Sequence, residues 1–250
     1  MPLSEHALTH ALERIGVQAP VRFDEITRST QLTAVELARQ GAPEWTLVGS
    51  NHQTEGRGRL GRSWVDEPDR GLIVSVVLRP QLHPEQGGLL TLLAGWAMAT
   101  ACRLSGTPVG CRWPNDLVTR EGKVGGILAE SLLEQDRFAF VVLGTGVNIG
   151  QAPYVHHAAA IEAVDPADLL EDFLRTFVRR YEPTHPAFAG AVTSSYRDVC
   201  VTLGNEVSTT TVSGARIEGR AVDVDQAGGL VVSTQAGPEV VRFGEIRHLR

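Results

Sequence analysis

The sequence predicts an α+β fold: a mixed, largely antiparallel sheet with flanking helices, followed by a small barrel-like unit made of strands alone. Three observations carry that reading. Apolar residues recur with helical period in four stretches, at 4–15, 29–38, 89–104 and 169–181. Some strand-like runs between them are joined by a tight turn, which favours antiparallel pairing. After Ala191 the helical period ends, and from Val199 to Arg250 short alternating runs are separated by glycine-rich turns. With 250 residues, 42% apolar and 21% charged, the chain has an ordinary globular composition and can bury a sizeable core.

In chain order, Ser4 is placed to cap a helix whose apolar side is Leu8, Ala11, Leu12 and Ile15, with Gly16 as its stop. A strand at Val21 to Ile26 follows, then a helix capped by Ser29 that runs through Val35, Leu37 and Ala38 and stops at Gly41, then a strand at Thr46 to Ser50. From Gln53 to Ser63 the apolar pattern vanishes; three of eleven residues are glycine and three arginine, so the segment is a loop. Leu72 to Leu78, LIVSVVL, has the unbroken apolar character of a strand buried on both faces. Leu89 to Leu104 is rich in small residues and makes a helix of about four turns that covers the sheet. Val109 to Trp113, Lys123 to Ser131 and Phe138 to Val147 read as strands, with Glu121-Gly122 turning between Thr119 and Lys123. Leu169 to Tyr181 is strongly amphipathic, with Leu169, Leu170, Phe173, Phe177 and Val178 on one side. In the tail, the runs EVSTTTV, GRAVDVD, GLVVST and EVVRF belong to a five-stranded barrel-like domain, so the chain divides into 1–197 and 198–250.

The net charge of −6 offers no attractive field to nucleic acid or to an acidic membrane surface, so any anion site must be local. Cys102, Cys111 and Cys200 are an odd number without C-x-x-C spacing, and read as reduced core thiols rather than a disulfide framework or a zinc cage. The start lacks a basic segment leading into an apolar one, and no run approaches the roughly 20 apolar residues of a membrane span, so the expectation is a cytoplasmic protein without a membrane partner.

Four segments carry chemistry. In Gly56-Arg57-Gly58-Arg59-Leu60-Gly61-Arg62-Ser63-Trp64, glycine frees backbone N–H groups to approach an anion while three guanidiniums close around it. A solvated basic loop or an RNA-binding patch fits an isolated GRGR equally well, although here it is neither repeated nor terminal. Arg112-Trp113-Pro114-Asn115-Asp116-Leu117 presents an amide and a carboxylate side by side; Asp116 suits a magnesium ion against phosphates, and on its own Pro-Asn-Asp also reads as a turn. Lys123-Val124-Gly125-Gly126-Ile127-Leu128-Ala129-Glu130 puts a lysine at the mouth of a strand and two glycines where a ligand can lie on the backbone. Gly144-Thr145-Gly146-Val147-Asn148-Ile149 repeats that theme, and a bulge or tight packing explains either glycine pair as well. His156-His157 has no evident third ligand and reads as a solvent-facing loop.

Taken in this order, the segments resemble the biotin–protein ligase family. Its pattern is a Ser-Thr pair opening a helix, a Gln before GRGRxGRxW, then (K/R)WPND, K-x-x-GIL-x-E and GxGxN. It is matched at Ser29-Thr30, Gln53, Gly56 to Trp64, Arg112 to Asp116, Lys123 to Glu130 and Gly144 to Asn148. Gly219-Arg220-Ala221, Asp225 and Gly228-Gly229-Leu230 resemble that family's small SH3-like C-terminal domain. Two features depart from it: Gln31 where asparagine is usual, and the segment after Asn148, which lacks the usual asparagine and phenylalanine.

The resemblance implies a class II synthetase-like catalytic core, ATP and Mg2+ as cofactors, and biotin as substrate. It implies that Ser29, Thr30, Gln31, Gln53, Arg57, Gly58, Arg59, Trp64, Lys123, Gly125, Gly126, Gly144 and Gly146 bind biotin or biotinyl-AMP. Arg62, Trp64, Asn115, Asp116 and Asn148 would serve ATP, with Arg62 also steadying the loop; Lys123, Arg59 and Asp116 would be catalytic, and Asp116 would hold magnesium. The implied partner is a biotin carboxyl carrier domain, the chain acting as monomer or homodimer. A lipoate or octanoate ligase on the same core, and a biotin-binding sensor without ligase activity, are the rival readings. A DNA-binding repressor is disfavoured, because the 20 residues before Val21 hold one helix without a basic face and a DNA reader needs roughly three times that length. The expectation is therefore the short form of the family, without an N-terminal DNA-binding domain.

Overall fold

The computed structural model describes residues 2–210, 216–242 and 247–248. Helix α1 is Glu5–Arg14, with the Ser4 side chain accepting from the Ala7 amide as its cap. Strand β1, Val21–Thr27, leads to α2, Thr30–Arg39, and to β2, Leu47–Gln53, so Gln53 ends a strand rather than opening a loop. Strand β3 is Gly71–Leu78, and helix α3 is Gly88–Leu104. The short strands β4, Gly110–Arg112, and β5, Asp116–Val118, precede the long hairpin of β6, Lys123–Glu134, and β7, Arg137–Asn148. Positive φ angles at Gln135 (49°) and Asp136 (59°) make the two-residue turn that suits the right-handed twist of this hairpin.

Helix α4, Pro166–Val178, starts one turn earlier than its apolar period suggested, because Asp165 accepts the Ala167 amide and Pro166 fits the first helical position. Helix α5, Phe188–Arg197, was not foreseen from the sequence. Its buried side is Phe188, Ala189, Val192, Thr193, Ser195 and Tyr196, so small and hydroxyl residues obscure a true helical period.

The seven strands form one sheet in the order β1-β2-β3-β7-β6-β5-β4, parallel between β1 and β2 and antiparallel elsewhere. One face carries Leu72, Val74, Val76, Leu78, Val141 and Leu143 into the main core against Leu89, Leu92, Leu93, Ala97, Leu169, Phe173 and Phe177. The other face packs Val48, Val77, Phe140 and Val142 against Ala34 and Ala38 of α2. Because β3 lies between β2 and β7 and is covered on both faces, all eight of its residues are buried. Pro84–Leu104, 21 residues, is long and apolar enough by composition to cross a membrane, yet α3 is a helix of this core. Cys102, Cys111 and Cys200 are free and buried, and burial pushes the Cys102 thiol up to about 12.

A second, five-stranded antiparallel sheet holds β8, Glu206–Thr210; β9, Arg216–Val224; β10, Leu230–Thr234; β11, Gly237–Val241; and β12, Arg247–His248, in the order β11-β10-β9-β8-β12. The expected strand residues Thr211, Val212 and Phe243 lie outside the described residues. This small SH3-like unit is tied to the larger one by Trp113 Nε1, which donates to the Gly228 carbonyl at 3.0 Å, and by Arg197, which donates to Asp223 at 2.5 Å and to the Val224 carbonyl at 2.8 Å.

Candidate active site

A cleft opens on the α2 face of the large sheet, and its floor is bare backbone. Gly126 on β6 pairs with Gly146 on β7, and Leu128 with Gly144, so three glycines project no side chain from that face. Added Cβ atoms would collide: at Gly146 with the Trp64 ring at 2.8 Å, and at Gly144 with Gln31 Oε1. The glycines therefore let Trp64 and Gln31 lie directly on the strand.

One end of the cleft is the N-terminus of α2. Ser29 occupies the cap position but its hydroxyl makes no capping bond. The cap comes from β2: Gln53 Oε1 accepts from the Thr30 amide at 2.8 Å and lies 3.3 Å from the Thr30 hydroxyl. Ser75 Oγ sits 3.0 Å from Thr30 Oγ1 and donates to Gln31 Oε1 at 3.2 Å, while Gln31 Nε2 donates to the Val142 carbonyl. Ser75 was not foreseen as a site residue; the lone hydroxyl within LIVSVVL was its signal. Ser29 Oγ is buried with no hydrogen-bond partner among the described residues, a cost that a polar ligand would relieve. Trp64 Nε1 is in the same condition.

The glycine-arginine segment folds back on itself. Trp64 N–H donates to the Gly56 carbonyl and Gly58 N–H to the Arg62 carbonyl, both at 2.8 Å, and Arg57 bridges to Ser63. Leu60 turns the tip with φ of 56°. Arg57 reaches Glu130 at 3.4 Å and Arg59 donates to Asn115 Oδ1 at 3.2 Å, which lays the segment across the cleft. At its base the Asp66 carboxylate accepts from the Gln53 amide at 3.3 Å and meets His52 Nδ1 at 2.8 Å. Burial raises the Asp66 pKa, opposed by the His52 contact.

The far wall is β5 and the start of β6. Asn115 Nδ2 donates to the Ile127 carbonyl, and Lys123 Nζ pairs with Asp116 Oδ1 at 2.5 Å. Lys123 and Gly126 are three residues apart, which in a regular strand puts them on opposite faces. A register shift between Leu117 and Val118 turns Lys123 onto the cleft, where its Nζ comes within 3.5 Å of a Cβ placed at Gly126.

Ser29, Thr30, Gln31, Gln53, Arg57, Gly58, Arg59, Arg62, Trp64, Asn115, Asp116, Lys123, Gly126, Gly144 and Gly146 thus all line one cleft. Gly125 and Asn148 do not. A Cβ at Gly125 would meet Leu117 and Val147, residues of the main core, so this glycine is demanded by packing. Asn148 Nδ2 donates to the Ala159 carbonyl, and the Ala159 amide donates to the Lys123 carbonyl, so Asn148 braces the strand that carries Lys123. His156 and His157 are exposed.

Residues 23–148, which include every cleft segment, match the Biotin/lipoate A/B protein ligase family. The chain belongs to that family. Among its relatives is the Biotin--[acetyl-CoA-carboxylase] ligase of Mycobacterium tuberculosis, 32% identical over 100% of this chain and 97% of that protein. Another is the Bifunctional ligase/repressor BirA of Bacillus subtilis, 30% identical over 98% of this chain and 78% of its own length. The biotin protein ligase from Aquifex aeolicus, solved in complex with biotin and ATP, superimposes with a TM-score of 0.70 at 25% identity, covering 92% of this chain and 99% of that one.

Proposed function

We propose that this member of the biotin/lipoate ligase family is a biotin–protein ligase: it joins biotin to ATP to give biotinyl-5'-AMP and pyrophosphate, then passes the biotinyl group to a lysine of a biotin carboxyl carrier domain. The observation that carries this reading is convergence. Four segments separated in sequence line one cleft, with uncharged polar groups at the α2 end and cations over the glycine floor.

The first step brings two anions together, the biotin carboxylate and the α-phosphate, so positive charge must be in place beforehand. Lys123, held by Asp116, and Arg59, which reaches across the cleft to the adjacent Asn115, supply it side by side at the far wall. One such preorganised donor is commonly worth about 2.7–4 kcal/mol in the transition state. A carboxylate nucleophile needs no general base. Asp116 is the one carboxylate among the described residues lining the cleft, a donor set that suits magnesium held mainly by phosphate oxygens and water. When bound, magnesium would neutralise phosphate charge there. In the second step the acceptor amine attacks the biotinyl carbonyl and AMP leaves, while the segment spanning Arg57 to Arg62 covers the anhydride against water.

The family match covers lipoate enzymes too, and the glycine-arginine segment together with the named biotin ligase relatives supports biotin. The test is purified protein with biotin, Mg-ATP and a carrier domain, the acceptor mass read before and after. Addition of one biotinyl group is expected; biotin-independent but lipoate-dependent exchange of pyrophosphate into ATP would replace this reading with the lipoate one.

A further inference from the structure

Arg112 stands in the cleft with no part in the steps above. It ends β4, the outermost strand on that side of the sheet, and its register partner is Asp116 of β5, so both side chains rise from the cleft face. Neighbouring cations are matched with acceptors: Lys123 with Asp116, Arg57 with Glu130 and Arg59 with Asn115. Arg112 differs. It is half-buried, and its Nε is shut off from solvent without a hydrogen-bond partner among the described residues. An unsatisfied guanidinium N–H in a cleft calls for an anion.

Its position says which anion. The cleft crosses the sheet in the order β7, β6, β5, β4, with the glycine floor and the α2 terminus at the β7 end, Lys123 on β6 and Arg112 on β4. At about 4.8 Å per strand, β4 lies roughly 10 Å beyond β6. In the reaction proposed above, a carboxylate oxygen bonds to the α-phosphorus and the bond from that phosphorus to the bridging oxygen of the β-phosphate breaks, the electron pair leaving with pyrophosphate. Attacking and leaving oxygens stand roughly in line in such displacements. With the nucleophile entering from the β7 end and the α-phosphate over Lys123, the leaving group is driven toward β4.

We infer that Arg112 binds the departing pyrophosphate, equivalently the β- and γ-phosphates of ATP before reaction. This rests on the biotin-adenylating reading. It makes Arg112 a residue of the first half-reaction alone, since no pyrophosphate is present when biotin passes from biotinyl-5'-AMP to the acceptor.

The experiment separates the two halves. Arg112→Gln and Arg112→Lys are compared with wild type in biotin-dependent exchange of labelled pyrophosphate into ATP, and in transfer to a carrier domain from chemically prepared biotinyl-5'-AMP. For Arg112→Gln the KM for pyrophosphate is expected to rise on the order of tenfold or more, as loss of a charged hydrogen bond implies. Arg112→Lys, which keeps the charge without the fork, should recover part of that loss. Transfer from preformed biotinyl-5'-AMP should stay within about twofold for both. If Arg112→Gln lowers exchange and transfer alike, or leaves the KM for pyrophosphate unchanged, the assignment is wrong. Absence of biotin-dependent exchange in the wild type would instead defeat the reading on which it rests.

Discussion

Gln53 Oε1 accepts the Thr30 amide at 2.8 Å, so the last residue of β2 caps the helix that forms one end of the cleft. Capping usually comes from the residue just before the helix. Here the local candidate, Ser29, makes no capping bond and its buried hydroxyl has no partner among the described residues, while Gln53, 23 positions after Thr30, caps the helix. One side-chain amide thereby caps the helix and lines the cleft.

Gln53→Ala should accordingly show two effects at once. Loss of the cap costs about 1 kcal/mol of stability, readable in urea unfolding. The KM for biotin should rise as well, because Thr30 and Ser29 lose their fixed geometry. A drop in stability with an unchanged KM would separate the cap from the binding site.

Lys123→Ala should cut biotinyl-AMP formation by roughly 100-fold or more, since a charge-stabilising donor is lost. Its stability effect should be small, because the Lys123 and Asp116 side chains are 39% and 26% exposed and such a pair contributes little. Near-normal adenylation would remove Lys123 from the mechanism.

Gly146→Ala tests the floor. Its Cβ would come within 2.8 Å of the Trp64 ring, so the indole has to move or the strand has to yield. Such overpacking costs about 1–3 kcal/mol. Biotin-dependent exchange should fall together with the melting temperature. Wild-type exchange would mean that Trp64 can shift without harm.

Most strands of the large sheet, helices α1 to α4 and the four motif segments were legible in the sequence, because buried strands such as LIVSVVL and amphipathic helices such as α4 announce themselves by period. What was not legible depends on contacts between distant residues. Helix α5 buries Ala189, Thr193 and Ser195, whose residue types give no apolar stripe. The bulge at Val124, which leaves that residue unpaired opposite the step from Leu117 to Val118, has no composition signal, yet it decides that Lys123 faces the cleft. Gly125 and Gly126 are adjacent and alike in sequence, but the pleat sends one to the core and the other to the floor.

The Arg57 to Arg62 segment gives the last prediction. Its backbone is held by the Gly58 to Arg62 and Trp64 to Gly56 hydrogen bonds, while the Leu60 tip is 71% exposed and the Arg57 contact with Glu130 is solvent-accessible. Exposed ion pairs of this kind contribute roughly 0–1 kcal/mol, less than the cost of ordering even one residue, at about 1–2 kcal/mol. The Arg57 contact across the cleft is therefore a weak clasp, and the segment should open readily. Biotin with Mg-ATP changes the balance, because each hydrogen bond from an arginine to a phosphate or carboxylate contributes about 1.5–3 kcal/mol. Trypsin, which cuts after Arg57, Arg59 and Arg62, should therefore cleave the free protein quickly and the protein with biotin and Mg-ATP slowly. Mass spectrometry of the fragments would locate the cuts. Equal rates in both states would mean that the segment is a rigid anion nest from the outset, and closure would then play no part in shielding the anhydride from water.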